Sequence, residues 1–75
     1  MTAEAREVLW IIAKEAAKTS DGYVISAKIP VQYSGKAEEI KKELLRYGCI
    51  SDAEVIGQYY IRCKFEVNAF DYLNE

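Results

Sequence analysis

Apolar residues recur at helical spacing near the start of this chain of 75 residues. Residues 3–18 consist mainly of Ala, Glu, Leu and Lys, which are strong helix formers. Thr2 is a candidate N-cap, and the turn sequence Asp21-Gly22 follows the segment. At 100° per residue, one face carries five apolar residues: Ala5, Val8, Leu9, Ile12 and Ala16. The pattern predicts a helix over 3–18 with this face toward the core.

A second helical pattern covers residues 35–47, with Ser34 as its start signal and Gly48 as its stop signal. Its apolar face is formed by four residues: Ala37, Ile40, Leu44 and Tyr47. The opposite face is charged, and Glu38 and Lys42 stand four residues apart, a spacing at which opposite charges stabilise a helix. We therefore expect a second amphipathic helix.

The segment between these helices alternates between apolar and other residues. Its odd positions are all apolar: Tyr23, Ile25, Ala27, Ile29, Val31 and Tyr33. Period two over residues 23–33 is typical of a strand. However, Ile25, Ile29 and Tyr33 also fit one helical face, so a short strand over 23–25 followed by a helix over 26–33 is the other interpretation.

The last third of the chain predicts a β-hairpin formed by residues 50–56 and 60–67. A three-residue loop, 57–59, sets three pairs on the inner face: Val55 with Ile61, Ala53 with Cys63, and Ser51 with Phe65. It sets two pairs of opposite charge on the outer face: Glu54 with Arg62, and Asp52 with Lys64. A two-residue loop would bury carboxylates, so we expect the longer loop.

After the hairpin, Asn68 is a candidate N-cap for a short final helix over residues 69–75. Phe70 and Leu73 are the residues expected to dock this helix on the rest of the domain. No repeat or linker interrupts the sequence, so residues 1–75 are expected to form a single domain.

Charge and composition narrow the classes of partner. The net charge is −2, the isoelectric point is about 5.1, and the charges are interspersed along the chain. Such a balance argues against non-specific binding to nucleic acid or to an anionic membrane, because both need excess Lys and Arg. The sequence has no long apolar run and no visible export signal, so we expect a cytoplasmic protein without a membrane partner.

Residues that carry chemistry are scarce. Cys49 and Cys63 are the two cysteines, there is no histidine, and no CxxC spacing occurs, which predicts no zinc site and no other metal site. We interpret both cysteines as small, reduced, apolar residues. The sequence contains neither a glycine-rich phosphate loop nor a nucleophile motif, so we expect a binding domain without cofactor or enzymatic activity.

Trp10 lies away from the apolar face of the first helix and forms a second, narrow strip with Ala13 and Ala17. Either the C-terminal segment 68–73 folds back over this strip, or the strip contacts another chain, since Trp is enriched at binding hot spots. A second set of uncharged residues stands at the tip of the hairpin: Ile56, Tyr59 and Tyr60. Both sets are candidate partner interfaces.

The run "GYVISAKIPVQYSGKAEEIKKELLRYGCI", then the hairpin and the closing "KFEVNAFDYLNE", resembles small prokaryotic and phage winged helix-turn-helix domains. The resemblance implies an α+β fold in the order helix, short strand, helix, helix, β-hairpin, short C-terminal helix. It implies a recognition helix over 36–47 and a wing over 50–67. Duplex DNA would then be contacted by four residues: Lys36, Lys41, Lys42 and Arg46.

The alternative fold is an α-β-α-β-β two-layer sandwich in which residues 23–33 form one strand. Its outer sheet face would carry four residues that can hold single-stranded bases: Lys28, Tyr60, Arg62 and Lys64. Two functional classes therefore stay open, a DNA-binding transcriptional regulator and a protein-interaction or homodimerisation module that binds no nucleic acid. They differ in whether Trp10 is covered within the monomer and in whether the cations of 36–46 converge.

Overall fold

Three α-helices and a three-stranded antiparallel sheet make up the fold in the computed structural model, which describes residues 1–74. The elements are α1 (Ala3–Ala16), β1 (Tyr23–Lys28), a 3₁₀ helix (Val31–Lys36), α2 (Ala37–Arg46), β2 (Ile50–Ile56), β3 (Tyr60–Phe65), a second 3₁₀ helix (Val67–Ala69) and α3 (Phe70–Leu73). The expected α+β class is confirmed. Within residues 1–74 no helix has the length and apolar character needed to cross a membrane.

The two main helices lie where the sequence predicts them, with shifted ends. The hydroxyl of Thr2 caps α1 by accepting a hydrogen bond from the amide of Ala5 at 3.2 Å. Ser34 does not cap α2, because residues 31–36 form a 3₁₀ helix that leads directly into it. Gly48 ends α2 as expected, since it takes a φ of +72° that is favourable for glycine.

Neither interpretation of residues 23–33 is correct. The strand extends to Lys28, and residues 31–33 belong to the 3₁₀ helix, so there is neither one strand over 23–33 nor a helix over 26–33. Pro30 explains the break, because proline cannot donate to a sheet ladder and disfavours helical backbone in the residue before it. That residue, Ile29, stays outside the helix and donates its amide to the carbonyl of Tyr59 at 2.8 Å.

A bulge interrupts the alternation in β1. Val24 pairs with Cys63 and Ala27 with Ile61, so two residues of β1 stand opposite Arg62 of β3. The bulge allows Val24 and Ala27 to face the core together. Ile25, which strict alternation would place beside Ala27, is instead 81% exposed.

The hairpin has the predicted loop of residues 57–59 and then departs from the predicted register. Val55 pairs with Ile61 and Glu54 with Arg62, as expected. A second bulge follows, so Lys64 stands opposite Ser51 rather than Asp52, and Phe65 stands opposite Ile50 rather than Ser51.

Burial explains the shift in register between β2 and β3. The bulge turns the side chain of Ile50 into the core, where the predicted register would have placed the hydroxyl of Ser51. Asp52 takes up the extra residue with a φ of +49°, a conformation that Asp tolerates better than most residues do.

The sheet order is β1-β3-β2, and the core lies between the inner face of this sheet and the helices. Its largest fully buried side chains are Val8, Leu9, Ile12, Ile29, Leu44, Cys49, Ile61 and Cys63. Thr2 also ties the start of α1 to α2, because its amide donates to the carboxylate of Glu43 at 2.7 Å. The helices are thereby fixed to each other as well as to the sheet.

The C-terminal helix is shorter than expected and begins without Asn68 as a cap, because residues 67–69 form a 3₁₀ helix. Leu73 is buried and docks α3, as predicted. Phe70, the other expected docking residue, remains 52% exposed. Residue 75, at the end of the predicted helix, lies outside the described residues.

Candidate functional site

An open apolar groove of about 550 Å³ runs between α1 and the chain segment 65–74. The α1 wall of the groove is formed by Trp10, Ala13 and Ala17. The opposite wall is formed by Phe65, Val67 and Phe70. Most of the surface inside this groove is therefore apolar.

The α1 wall is the strip that the sequence singles out. Its residues follow the spacing i, i+3, i+7, which covers about 10 Å along a helix. The C-terminal segment lies opposite the strip without closing over it, since Trp10 is still 44% exposed. The two alanines extend no further than Cβ, so the groove passes close to the backbone of α1.

The opposite wall is held in place by the end of β3. The amide of Phe65 donates to the carbonyl of Gly22 at 2.9 Å. Gly22 has a φ of +78°, and a Cβ there would lie 3.2 Å from the carbonyl oxygen of Phe65. The ring of Phe65 in turn supports that of Phe70 edge to face, with the centroids 5.4 Å apart. Phe70 is thus a braced aromatic side chain, although half of it is exposed.

One charged side chain lines the described part of the groove. Among the described residues that line it, Lys14 is the charged one, one turn after Trp10 on α1. Within residues 1–74, the ammonium group of Lys14 forms no ion pair. The groove therefore combines an apolar surface with a single positive charge that has no acidic partner in the described part of the chain.

Two of the four residues proposed for DNA contact are engaged in ion pairs. The ammonium group of Lys36 lies 3.3 Å from the carboxylate of Glu4, and that of Lys41 lies 3.0 Å from the carboxylate of Glu38. The Lys41 side chain is also only 20% exposed. These two cations are partly neutralised before any phosphate approaches.

Lys42 and Arg46 are the two that remain, four residues apart on an exposed face of α2. Neither forms an ion pair with another described residue. The guanidinium carbon of Arg46 lies 5.7 Å from the centre of the Tyr47 ring. The structure therefore brings together two of the four cations on a free surface, not all four.

The hairpin tip forms a separate apolar surface. Ile56 and Tyr60 are paired across the hairpin, Tyr59 precedes Tyr60 in the loop, and each of the three is partly exposed. The tip stands at the start of β3, whereas the groove includes Phe65 at its end, about 17 Å away along the strand. Tip and groove are two different surfaces.

The outer face of the sheet carries Tyr60, Arg62 and Lys64 of β3, alternating with the buried Ile61 and Cys63. Lys28 of β1 pairs with Tyr60 across the ladder. Arg62 forms an ion pair with Glu54 of β2. Thus the four residues predicted for this face do share it, with one of the cations neutralised.

Both cysteines are buried in the core. Burial raises the pKa of the Cys63 thiol to about 12 and raises that of Cys49 as well. The thiolate is the nucleophilic form, so neither residue is activated for nucleophilic chemistry near neutral pH. Residues 1–74 hold no group of three side chains suited to binding a metal ion.

The sequence pattern predicts the α1 wall of the groove but not the opposite wall. The sequence pattern does not single out Lys14, Phe65 or Val67 as site residues, and it predicts that Phe70 docks the last helix. The available signal was the spacing of Val67 and Phe70, which places two apolar residues on one side of a helical turn.

Comparisons of the chain with protein-family models, curated proteins and solved structures find no match.

Proposed function

We propose that this chain is a non-enzymatic protein-interaction domain whose groove binds an apolar segment of another protein. The observation that carries the proposal is the exposure of aromatic side chains around a concave surface, with Trp10 44% and Phe70 52% exposed. Concave apolar surfaces that remain exposed on a folded monomer mark interaction sites, and Trp is prominent among binding hot spots.

Shape and charge favour a different protein over a second copy of the chain. A two-fold contact centred on the groove would bring two concave surfaces together and leave their centres unfilled. It would also bring two Lys14 ammonium groups near each other, which costs free energy in a desolvated contact. A protruding segment of a partner has neither problem.

The open form of the groove favours a protein segment over a small molecule. Small-molecule sites bury about 70–90% of their ligand. Here Val67 on one wall is 74% exposed, and the groove is open to solvent. Such a surface can cover one side of a partner segment while the other side remains in water.

A selection from a random peptide library displayed on phage tests this proposal. We expect the wild-type domain to enrich peptides that lose binding to the folded variants Trp10→Ala and Phe70→Ala. Tyr60→Ala at the hairpin tip is the matched control and should retain every selected peptide. Enrichment only of peptides that bind all four proteins equally would contradict the proposal.

Light scattering over a range of protein concentrations tests the second-copy alternative. We expect a monomeric mass throughout, with the emission maximum of Trp10 unchanged on dilution. A dimer whose Trp10 emission shifts to longer wavelength on dilution would place a second copy in the groove and overturn the choice of partner.

Duplex DNA is a second candidate ligand because Lys42 and Arg46 project from one exposed face of α2 without ion pairs among residues 1–74. The order of elements resembles that of winged-helix proteins and adds to this candidate. DNA binding predicts a salt-sensitive mobility shift that the double substitution Lys42→Glu and Arg46→Glu abolishes. If the wild type gives no shift at low salt, the DNA candidate is wrong.

A further inference from the structure

We infer that the occupant of the groove is a short amphipathic helix that presents apolar anchors and, beside them, an acidic residue to Lys14. This inference rests on the proposed function and specifies the chemistry of the partner at the same site. Three features of the groove carry it: its length, the kind of atoms in its walls, and the position of its charge.

The length of the groove matches two turns of helix. The strip from Trp10 to Ala17, the residue that caps the end of α1, covers seven residue steps, or about 10 Å. A helix lying along it can place residues i, i+3 or i+4, and i+7 on the same face, which is how helical segments bind in apolar grooves. Ala13 and Ala17 allow such a helix to approach α1 closely, because their side chains end at Cβ.

Apolar side chains form most of the groove walls. An extended peptide derives much of its affinity from main-chain hydrogen bonds to a sheet edge. Here one wall belongs to a helix, and at the other wall the amide of Phe65 is already bonded to the carbonyl of Gly22. A helix satisfies most of its backbone hydrogen bonds internally, so its backbone needs few partners from the groove.

The positive charge of Lys14 favours an acidic residue in the partner helix. Lys14 lies one turn from Trp10 on α1, and residues four apart are neighbours on a helix surface. A partner helix whose apolar anchor contacts Trp10 therefore places an adjacent side chain within reach of the Lys14 ammonium group. Within residues 1–74 that ammonium group has no acidic partner, so a carboxylate of the partner would supply one.

The test uses a peptide whose binding depends on Trp10, made in versions with Glu and with Lys at each position flanking its anchors. Affinities are measured by isothermal titration for wild type and Lys14→Glu, with Lys28→Glu as a control of equal charge on the outer sheet face. At one flanking position, we expect the peptide with Glu to bind the wild-type domain about fivefold more tightly than the peptide with Lys. The preference should reverse in Lys14→Glu and persist in Lys28→Glu.

The outcomes separate the two levels of the proposal. Replacing Glu by Lys in a Trp10-dependent peptide could change its affinity equally for wild type and for Lys14→Glu. In that case the proposed acidic residue of the partner is wrong, and the groove remains a protein-binding site. If ¹³C chemical shifts show the bound peptide to be extended, the helix is wrong. If no peptide depends on Trp10, the proposed function itself fails.

Discussion

The two faces of α1 share one helix and differ in what covers them. One face, which includes Leu9 and Ile12, is fully buried against the sheet. The other face, with Trp10 and Ala17, lies beside the C-terminal segment and stays open. The burial of the first face holds α1 in place, and the fixed helix then presents the second face as a preformed wall.

An amphipathic pattern therefore identifies the core face of a helix but does not determine what the remaining apolar residues contact. Both faces contain apolar residues, yet only one is enclosed by the described chain. The first should therefore act on stability and the second on binding. Three experiments test this separation of stability from binding.

The largest effect is expected for Leu9→Ala, which removes a fully buried side chain from the core. Such substitutions cost about 2–5 kcal/mol, close to the whole stability of about 3–5 kcal/mol expected for a domain of this size. Trp10→Ala is the matched substitution on the other face and should cost about 1 kcal/mol. Urea unfolding measures both. Equal losses would mean that the groove face is part of the core.

An intermediate effect is expected from high pH, which acts on the core through Cys63. Burial raises the pKa of this thiol from 9.0 to about 12, so the unfolded chain releases the proton first and stability falls between these values. The loss approaches about 1.4 kcal/mol per pH unit. Urea unfolding from pH 8 to 10.5 should show a shallower decline for Cys63→Ala. The same slope in both proteins would mean that water reaches this thiol.

The smallest effect on stability is expected for Ala17→Arg at the exposed end of α1. Surface substitutions usually change stability by less than about 0.5 kcal/mol, and a cation near a helix C-terminus is favourable. The long side chain would nevertheless lie across the groove and add a second positive charge beside Lys14. We expect an unchanged urea midpoint and lost binding of Trp10-dependent peptides. Retained binding would place the partner elsewhere.

Much of the fold could be predicted because local signals agree with the tertiary structure. The structure confirms the predicted core face of α1, the end of α2 at Gly48 and the hairpin loop over 57–59. In each case the spacing of apolar residues, the cap or the loop is encoded within a few residues. Such features depend little on distant parts of the chain.

The bulges could not be predicted, because they resolve competition between strands. Strict alternation would send Ile25 inward beside Ala27, yet the bulge in β1 buries Val24 there instead. In β2 the bulge places Ile50 in the core, at the position that the predicted register gives to Ser51. Which residue is buried depends on the register in which β3 pairs with its neighbouring strand. This register is set by contacts distant in sequence, so the periodicity of one strand does not reveal it.

The α1 wall of the groove can be predicted from local sequence, but the opposite wall depends on a long-range contact and cannot. Trp10 departs from the core face within a single helix, so its own sequence reveals it. Phe65 and Val67 become a second wall only because the end of β3 returns to the turn at Gly22. That contact joins residues more than forty positions apart and leaves no local mark.

The two bulges have a further consequence for how molecules of this protein meet one another. A sheet with β3 in its centre has two edges, and straight edges invite strands of neighbouring molecules to add on and grow aggregates. Here each edge strand is broken by an extra residue, at 25–26 and at 52–53. An irregular edge is a poorer template for an incoming strand than a straight one. The domain can thus expose an apolar groove to its partner while both margins of its sheet discourage polymerisation.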